Sequence, residues 1–402
     1  MRSKIMTALL AAVLALCLLA GCGSTAQPAA TENPAAAETP AASAAETEAP
    51  ADTDEPAEAE ATTVLATQDF PAMYAVYAPD YVPVTVNGHD VTWDRYFGWV
   101  YSVMEQLTYY YGISDFTEDL GEGLTYGDYI QDYALSMSGQ YEVINGKAAE
   151  LGITLSEEER SEVDQMLQDD ADSYFDGSIE ALIEDLNSRY FSEEYYRYMS
   201  GSSLLYEDIF LHFYGENGAL LPDEDAVNYF LDNGYMNAQH ILFKTIDDSN
   251  QPLSEEEQAE KLARAEAALE QLKAVSPAEL ESAFTALMLQ QTEDLGAITR
   301  PDDYYFTSGT MAQEFEDAAA ALEQGEMSEI VKSDYGYHIL YRPRVSADHI
   351  YTYDASGNPI TLRYEAAVNL FSTMVDEWIE GMQVEYADDF DFNAVLAAGK
   401  TE

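Results

Sequence analysis

Two histidines stand in the same short context, each inside an apolar stretch of the chain. His240 lies in MNAQHILFK, residues 236–244, and His338 lies in YGYHILYRPR, residues 335–344. Both stretches have the length and composition of a strand, in which side chains alternate between two faces. If the two strands are neighbours, the two imidazoles can therefore meet on one face.

A buried imidazole needs partners for its ring nitrogens, because an unmet polar group costs stability. A single histidine in a strand is usually a hydrogen-bonded core residue. On spacing alone, the matched pair leaves a structural role and a shared polar site equally open. The other three histidines, His89, His212 and His349, have no partner signature and are not expected to act.

Several other chemistries lack the residues that they need. A metal at His240 and His338 has no obvious further ligands in the sequence. There is no calcium-binding loop of the Asp-x-Asp-x-Asp-Gly type and no nucleophile elbow for Ser-His-Asp hydrolysis. We therefore expect neither a metal site nor covalent catalysis.

The two strands must be positioned by the helices predicted between them. Ser254 and Glu257 form a capping box at the start of one helix. Ser276-Pro277 predicts the start of the next, with the proline at the first helical position. A third helix is predicted over 311–322, before a turn at 323–326 and the second strand. The order of strand, helices and strand predicts an α+β unit.

A mostly helical region flanks this unit. Asn87-Gly88 predicts a hairpin turn within 82–93. Helices are then predicted over 96–111, 126–151, 157–169, 178–187 and 192–212, and another opens at Leu221 and stops at Gly234. An amphipathic helix over 363–382 is expected to return to the first helical region, so that the α+β unit is an insertion. The alternative is that this last helix packs on the α+β unit itself.

The N-terminus has the pattern of an export signal. Arg2 and Lys4 precede an apolar run over 5–20, which ends in Leu-Ala-Gly-Cys at 19–22. This end resembles a bacterial lipobox, which implies a signal peptide over 1–21 and lipidation (palmitate) at Cys22. An ordinary signal peptide with an incidental cysteine is the alternative. Cys17 and Cys22 are the only cysteines, so the mature protein is expected to lack disulfides.

The composition limits which classes of molecule the protein is expected to bind. Residues 22–65 are rich in Ala, Pro, Thr and Glu and predict a disordered tether. The formal net charge of −58 argues against binding to nucleic acid or to anionic lipid, and favours attraction of cationic unfolded chains. The acidity could equally be a general property of the organism's surface proteins.

The residues around the two histidines resemble the parvulin-type peptidyl-prolyl isomerases. The family's motifs occur in its order and near its spacing. The matching residues are Ala238, His240, Ile241 and Leu242; Phe284 and Leu287; Thr292 and Asp294; Met311, Phe315, Glu316 and Ala318; Gly325, Glu326 and Ser328; and Gly336, Tyr337, His338 and Ile339. This implies a parvulin-like domain over 235–346, an antiparallel-rich sheet with surrounding helices.

The resemblance also implies a role for each matched position. His240 and His338 would form the floor of the site, with Ser333 nearby and Asp294 next to the target carbonyl. Met311, Phe315, Leu242 and Ile298 would line the apolar pocket for the proline ring. Such an isomerase needs no cofactor, metal or nucleophile.

The sequence also departs from the family pattern. Leu295-Gly296 follows Asp294 at once, where the family usually has a glycine-rich loop, and 299–309 is longer than expected. Met288 and Gln291 replace a small and an aromatic residue. The loop 246–249 is acidic, so selection of phosphoserine-proline is not expected.

The flanks resemble the helical chaperone segments of secretion foldases of the PrsA and SurA families. This implies chaperone segments over 66–234 and 347–402, with unfolded exported polypeptides as partners, on the outer face of a Gram-positive cytoplasmic membrane. A homodimer through the helical domain stays open. The alternatives are a holdase whose parvulin fold has lost catalysis and, less consistent with the motifs, a solute-binding lipoprotein.

Overall fold

The computed structural model describes residues 68–121, 123–299 and 302–400. The predicted signal peptide, the lipidation site at Cys22 and the tether lie outside these residues. Contacts divide the described chain into two compact units, 68–212 with 372–400 and 213–371, which we call the helical unit and the sheet unit. The sheet unit is thus continuous in sequence and interrupts the helical unit. The predicted boundaries at 234/235 and 346/347 stay predictions.

The described elements confirm the α+β class. In chain order the helices are α1 (Phe70–Tyr74), α2 (Trp93–Tyr111), α3 (Tyr126–Leu151), α4 (Glu157–Tyr174), α5 (Ile179–Ser188), α6 (Glu193–Tyr214), α7 (Asp223–Asp232), α8 (Glu255–Lys273), α9 (Leu280–Gln291), α10 (Leu295–Thr299), α11 (Gln313–Ala321), α12 (Leu362–Glu380) and α13 (Phe392–Ala398). The strands are β1 (Val84–Val86), β2 (His89–Val91), β3 (Asp119–Gly121), β4 (Leu124–Thr125), β5 (Met236–Lys244), β6 (Tyr304–Phe306), β7 (Val331–Lys332), β8 (Gly336–Tyr341), β9 (Ile350–Tyr353), β10 (Pro359–Thr361) and β11 (Val384–Tyr386). No helix in the described ranges is long and apolar enough to cross a membrane.

Turn and capping residues account for the bounds of several elements in the helical unit. The Asn87-Gly88 turn has positive φ at both residues, 52° and 79°, and joins β1 to β2 as predicted. The capping box of Ser156 with Glu159 starts α4. Gly152 ends α3 in the left-handed region that glycine adopts without a Cβ penalty.

The predicted return helix, α12, crosses the division between the units at 371/372. Its first half belongs to the sheet unit and its second half to the helical unit. The packing predicted for this helix and its alternative both stay predictions.

The sheet that carries the two histidines has the order β6-β5-β8-β7, and each pair is antiparallel. One face buries Ile241, Phe243 and Ile339 against α8 and α9. On the other face, Ala238 and Leu340 pack with Phe306 and Phe315, the latter from α11. Because both faces of β5 are covered, the strand is buried at every residue from Asn237 to Phe243.

The helix predicted from Pro277 begins later. Residues 277–279 form a turn, in which Glu279 N–H donates to Ser276 O at 3.0 Å and the Ser276 hydroxyl bonds the Glu279 carboxylate at 2.7 Å. This i to i+3 closure is a turn rather than a helical repeat, and α9 starts at Leu280. The third predicted helix likewise starts at Gln313 and not at Met311.

Gly336 lets β8 begin beside β5. Its φ is 153°, and a Cβ at this position would lie 2.2 Å from the carbonyl oxygen of Phe243. We therefore predict that Gly336→Ala separates the start of β8 from β5 and lowers the free energy of unfolding by about 3 kcal/mol. Chemical denaturation of the purified variant measures this.

Gly357→Ala is the matched control, since Gly357 also has positive φ but has no atom within 4 Å of its Cβ position. Gly357→Ala should lower the free energy of unfolding by about 1 kcal/mol, from backbone strain alone. An equal loss of stability in both variants would show that the backbone at Phe243 moves away from the added Cβ without a cost in free energy.

Candidate active site

Four side chains predicted from the sequence form one continuous hydrogen-bonded chain. The Nδ1 atoms of His240 and His338 are 3.1 Å apart. His240 Nε2 lies 2.7 Å from Asp294 Oδ2, and His338 Nε2 lies 2.7 Å from Ser333 Oγ. His240, His338 and Ser333 are all buried. The two rings are nearly parallel, with 14° between their planes.

Strand register brings the two imidazoles together. In the β5–β8 pair, His240 is opposite Leu340 and His338 is opposite Leu242, so the histidines are diagonal neighbours on one face. Ser333 lies in the turn between β7 and β8, where its N–H donates to Gly336 O at 3.0 Å. Asp294 follows α9. Three separate segments thus contribute to the chain.

With both rings neutral, one set of proton positions satisfies every contact. An ionised Asp294 can only accept, so His240 donates through Nε2–H and its Nδ1 carries a lone pair. His338 then donates from Nδ1–H, and its Nε2 accepts from the Ser333 hydroxyl. Tyr335 N–H donates to the same hydroxyl oxygen at 3.1 Å. No nitrogen of either ring is left without a partner.

The electrostatics agree with a neutral His338 and an ionised Asp294. Burial, followed by the neighbouring His240, lowers the pKa of His338 to about 3. Burial alone would raise the pKa of Asp294. The hydrogen bonds from His240, Tyr304 and Gly296 outweigh burial and hold that pKa well below its usual range.

Sequence reasoning missed two of the groups that hold Asp294. The Tyr304 hydroxyl donates to Asp294 Oδ2 at 2.7 Å, and Gly296 N–H donates to Oδ1 at 2.9 Å. Tyr304 lies on β6, within the segment noted only as longer than expected. Gly296 lies in α10, the short helix in place of the expected glycine-rich loop, and a Cβ there would come 2.5 Å from the Tyr304 hydroxyl. The sequence features that could have indicated these donors were Gly296, two residues after Asp294, and the tyrosines at 304 and 305.

Glu293 anchors the segment before Asp294. Its carboxylate accepts from Lys244 N–H at 2.8 Å, from Lys261 Nζ at 2.6 and 2.7 Å, and from Arg264 Nη1 at 2.7 Å. Burial opposes ionisation, but these donors lower the pKa of Glu293 overall. Thr292 adds a second tie, because its hydroxyl accepts from Leu242 N–H at 3.1 Å. The loop is therefore fixed to β5 by the two residues directly before Asp294.

An aromatic wall stands beside the histidines. The Phe315 ring meets His240 and His338 edge-on, with centroids 5.2 and 5.8 Å away, and Phe306 supports it from 5.7 Å. Met311 packs in the same apolar cluster. Leu242 is buried opposite His338, whereas Ile298 is 44% exposed on α10, the helix after Asp294. The wall is apolar and the floor is polar.

A buried carboxylate fixes the loop that carries Met311. Glu316 accepts from the N–H groups of Gly309, Thr310 and Met311 at 2.8–3.0 Å. Burial works against its charge, yet these three donors keep the pKa of Glu316 below its ordinary value. The motif residue after Phe315 is thus explained by backbone hydrogen bonding.

The arrangement provides a dry polar floor and an apolar wall. Ser333 donates its hydroxyl to a neutral imidazole, but the serine is buried, so it is not placed to attack a substrate. Within the described ranges, no group of three or more His, Cys, Asp or Glu side chains is placed to hold a metal ion. The geometry suits binding and orientation of a substrate more than covalent chemistry.

The low pKa of His338 predicts a pH dependence of stability. An unfolded histidine titrates near pH 6.5, so between that value and about 3 the unfolded state binds the extra proton. Stability should fall as pH drops from 7 to 5, by about 2 kcal/mol from this group. We predict that His338→Gln removes that part of the loss, as measured by urea unfolding at both pH values.

The exposed His89 supplies the control, since His89→Gln should leave the loss unchanged. Asp294 does not interfere, because its depressed pKa makes its contribution disappear only at much lower pH. The same loss in wild type and His338→Gln would mean that folded His338 accepts a proton.

Comparison with known proteins agrees with this geometry. The family described as Rotamase, PPIC-type PPIASE domain, matches residues 240–343. Foldase protein PrsA 1 of Bacillus cereus is 50% identical over 58 residues, which cover 14% of this chain and 20% of that protein. Foldase protein PrsA of Geobacillus kaustophilus is 43% identical over 58 residues, 14% of this chain and 21% of that protein. The chain therefore spans about one fifth of the length of these curated relatives.

Solved structures include PrsA from Bacillus subtilis, with 20% identity and a TM-score of 0.23 over 66% of this chain and 89% of that chain. PrsA from Lactococcus lactis has 12% identity and a TM-score of 0.27 over 79% and 97%. Scores at this level do not establish a shared arrangement of domains. The matched motifs and the family match lead to the same assignment, and residues 240–343 are a parvulin, PPIC-type peptidyl-prolyl isomerase domain.

Proposed function

We propose that the protein isomerises X–Pro peptide bonds and assists the folding of polypeptide clients. The observation that carries this proposal is the buried chain from Ser333 through His338 and His240 to Asp294, placed against the Phe315 ring. Such a site combines a pocket for a proline ring with fixed polar groups for the amide.

The reaction requires no bond to be broken. Amide resonance sets a barrier of about 18–20 kcal/mol to rotation of a peptide bond. At X–Pro the two planar isomers are close in energy, yet exchange takes tens of seconds or more. An enzyme accelerates exchange when it binds the twisted amide better than either planar form.

The proposed roles follow from the positions of the side chains. The proline ring lies against Phe315 and Met311, with Leu242 and Ile298 extending the apolar surface. Asp294 lies beside the carbonyl of the residue before proline. A planar amide places partial negative charge on that oxygen, so a fixed carboxylate disfavours the planar form relative to the twisted one. His240, His338 and Ser333 hold the carboxylate and the floor in one orientation, without reorganisation during the reaction.

The clients we propose are unfolded or partly folded exported polypeptides with X–Pro bonds. The support is the N-terminal pattern over 1–22, which implies export and a lipid anchor at Cys22, together with a net charge of −58 that attracts cationic chains. The site of action would be the outer face of the cytoplasmic membrane, probed by fractionation of cells.

A second candidate is a holdase that binds clients without isomerising them. The observation in its favour is α10, which places Leu295 and Gly296 directly after Asp294, where the family usually has a glycine-rich loop. This changes the rim of the pocket but leaves the floor intact. The two candidates differ in one measurable property, the rate of exchange.

The decisive experiment follows cis-to-trans exchange of a short X–Pro peptide with wild type, Asp294→Ala and His338→Ala. We expect wild type to accelerate exchange, and each substitution to lower kcat/KM by about tenfold or more, because each breaks the buried chain. Circular dichroism checks that the variants remain folded.

Asp334→Ala is the control, because Asp334 is an exposed carboxylate in the same turn as Ser333. It should leave kcat/KM unchanged. If wild type is no faster than solvent and still suppresses aggregation of an unfolded client, the holdase is the correct function.

A further inference from the structure

The helical unit exposes three consecutive tyrosines that no core contact explains. Tyr109, Tyr110 and Tyr111, which we call the tyrosine tip, occupy the last turn of α2 and are 62%, 73% and 74% exposed. The rings of Tyr109 and Tyr110 are 4.9 Å apart and perpendicular. An isolated exposed aromatic is ordinary, but three in succession form an unusual surface.

Helix geometry keeps this tip open. Consecutive helical residues point about 100° apart, so three in a row surround the end of the helix and cannot all face one core. Leu107 and Thr108 anchor the same turn and are buried. Gly112 then ends the helix in the left-handed region. The three rings therefore extend from a fixed helix end.

A further tyrosine lies next to the tip. Tyr129 of α3 is half-buried, and burial followed by the phenol of Tyr111 raises its pKa. The Tyr129 ring is 6.4 Å from that of Tyr133, one turn further along α3. The aromatic surface thus continues from the end of α2 onto the neighbouring helix.

The charged residues of the sequence around the tip are all acidic, and two of them are paired with basic side chains from outside that stretch: Glu142 with Arg95 and Asp115 with Lys400. Between Arg95 and Lys147 the sequence contains no Lys, Arg or His. The acidic residues in this stretch are Glu105, Asp115, Glu118, Asp119, Glu122, Asp128, Asp132 and Glu142. The C-terminus of α2 adds the negative end of a helix dipole, and its last turn holds no basic residue.

Aromatic faces in a negative field attract organic cations. A Lys ammonium or Arg guanidinium can lie over a tyrosine ring while acidic groups nearby compensate its charge. We infer that the tyrosine tip binds Lys- and Arg-containing segments of unfolded polypeptides, through cation–π contacts supported by the surrounding carboxylates. This rests on the proposed function only in that the partner is a client chain.

The acidic residues around the tyrosine tip favour a cationic polypeptide segment over other classes of partner. Nucleic acid and anionic lipid would be repelled by the same carboxylates. A second copy of this chain, at a net charge of −58, would bring like charge to the surface. A cationic, unstructured segment is the partner whose charge complements it.

The test measures fluorescence anisotropy of a labelled, proline-free, unstructured peptide rich in Lys, Arg and Phe, with the full-length protein. Without proline, the peptide is not a substrate for the isomerase site. We expect the triple variant Tyr109→Ser, Tyr110→Ser, Tyr111→Ser to bind about tenfold more weakly than wild type, since three exposed cation–π sites are lost. A twin peptide with Glu in place of Lys and Arg should bind at least as weakly.

Tyr174→Ser is the matched control, because Tyr174 is a single tyrosine, 70% exposed, at the C-terminal end of α4. It should leave peptide binding unchanged. The single variant Tyr110→Ser, with a smaller loss, guards against a folding defect in the triple variant, and thermal unfolding checks both.

The inference fails if the triple variant binds like wild type, or if the Glu twin binds as well as the cationic peptide. It also fails if the triple substitution changes only the sedimentation of the protein, which would identify the tip as a contact between copies. Exchange of a short X–Pro peptide should be the same in wild type and the triple variant. A wild type without isomerase activity would contradict the proposed reaction and leave the binding result intact.

Discussion

The bond between the Nδ1 atoms of His240 and His338 is the interaction on which the sheet unit's site depends. It requires that β5 and β8 pair in one register, with His338 opposite Leu242. A slip by one residue would turn one imidazole to the other face, into the apolar cluster that packs against α8 and α9. The same slip would break the bond between the two rings and leave either Ser333 or Asp294 without its ring nitrogen, so that register and site are fixed together.

Much of this arrangement follows from local sequence. The two strands are short apolar runs, and the family motifs identified His240, His338, Asp294 and Ser333, which the structure joins in one chain. The capping box at Ser254 starts a helix as predicted. These signals act within three or four residues, so they need no knowledge of the fold.

What the sequence could not predict depends on long-range contacts. Tyr304 reaches Asp294 only because β6 pairs with β5, and Glu293 collects Lys261 and Arg264 from a helix 29 to 32 positions away. The hairpin of β9 and β10 was not predicted, although Ser356-Gly357 and Asn358-Pro359 lie at its turn. Pro277 misled the prediction, because a proline suits a turn as well as a first helical position.

Charge is distributed unevenly in this protein. The surface is acidic, yet three carboxylates inside the sheet unit, the partly buried Glu293 and Asp294 and the buried Glu316, are each matched by several donors. Two of them, Glu293 and Glu316, contact no histidine and hold loops in place. Their ionised state inside the sheet unit is stable because backbone N–H groups and two cations replace water. The rigid positions of Asp294 and Met311 are the result.

The interruption of the helical unit sets the order in which the chain can fold. β1 pairs with β11, and Gln383 N–H reaches back 296 positions to the Asn87 side chain. A ribosome delivers the N-terminal part first, but that part lacks a strand and the second half of α12 until β11 has emerged. The segment 213–371 is continuous in sequence, so it can fold as soon as it has emerged. The isomerase domain can therefore mature while the helical unit is still incomplete, and the first sheet closes only after β11 has emerged.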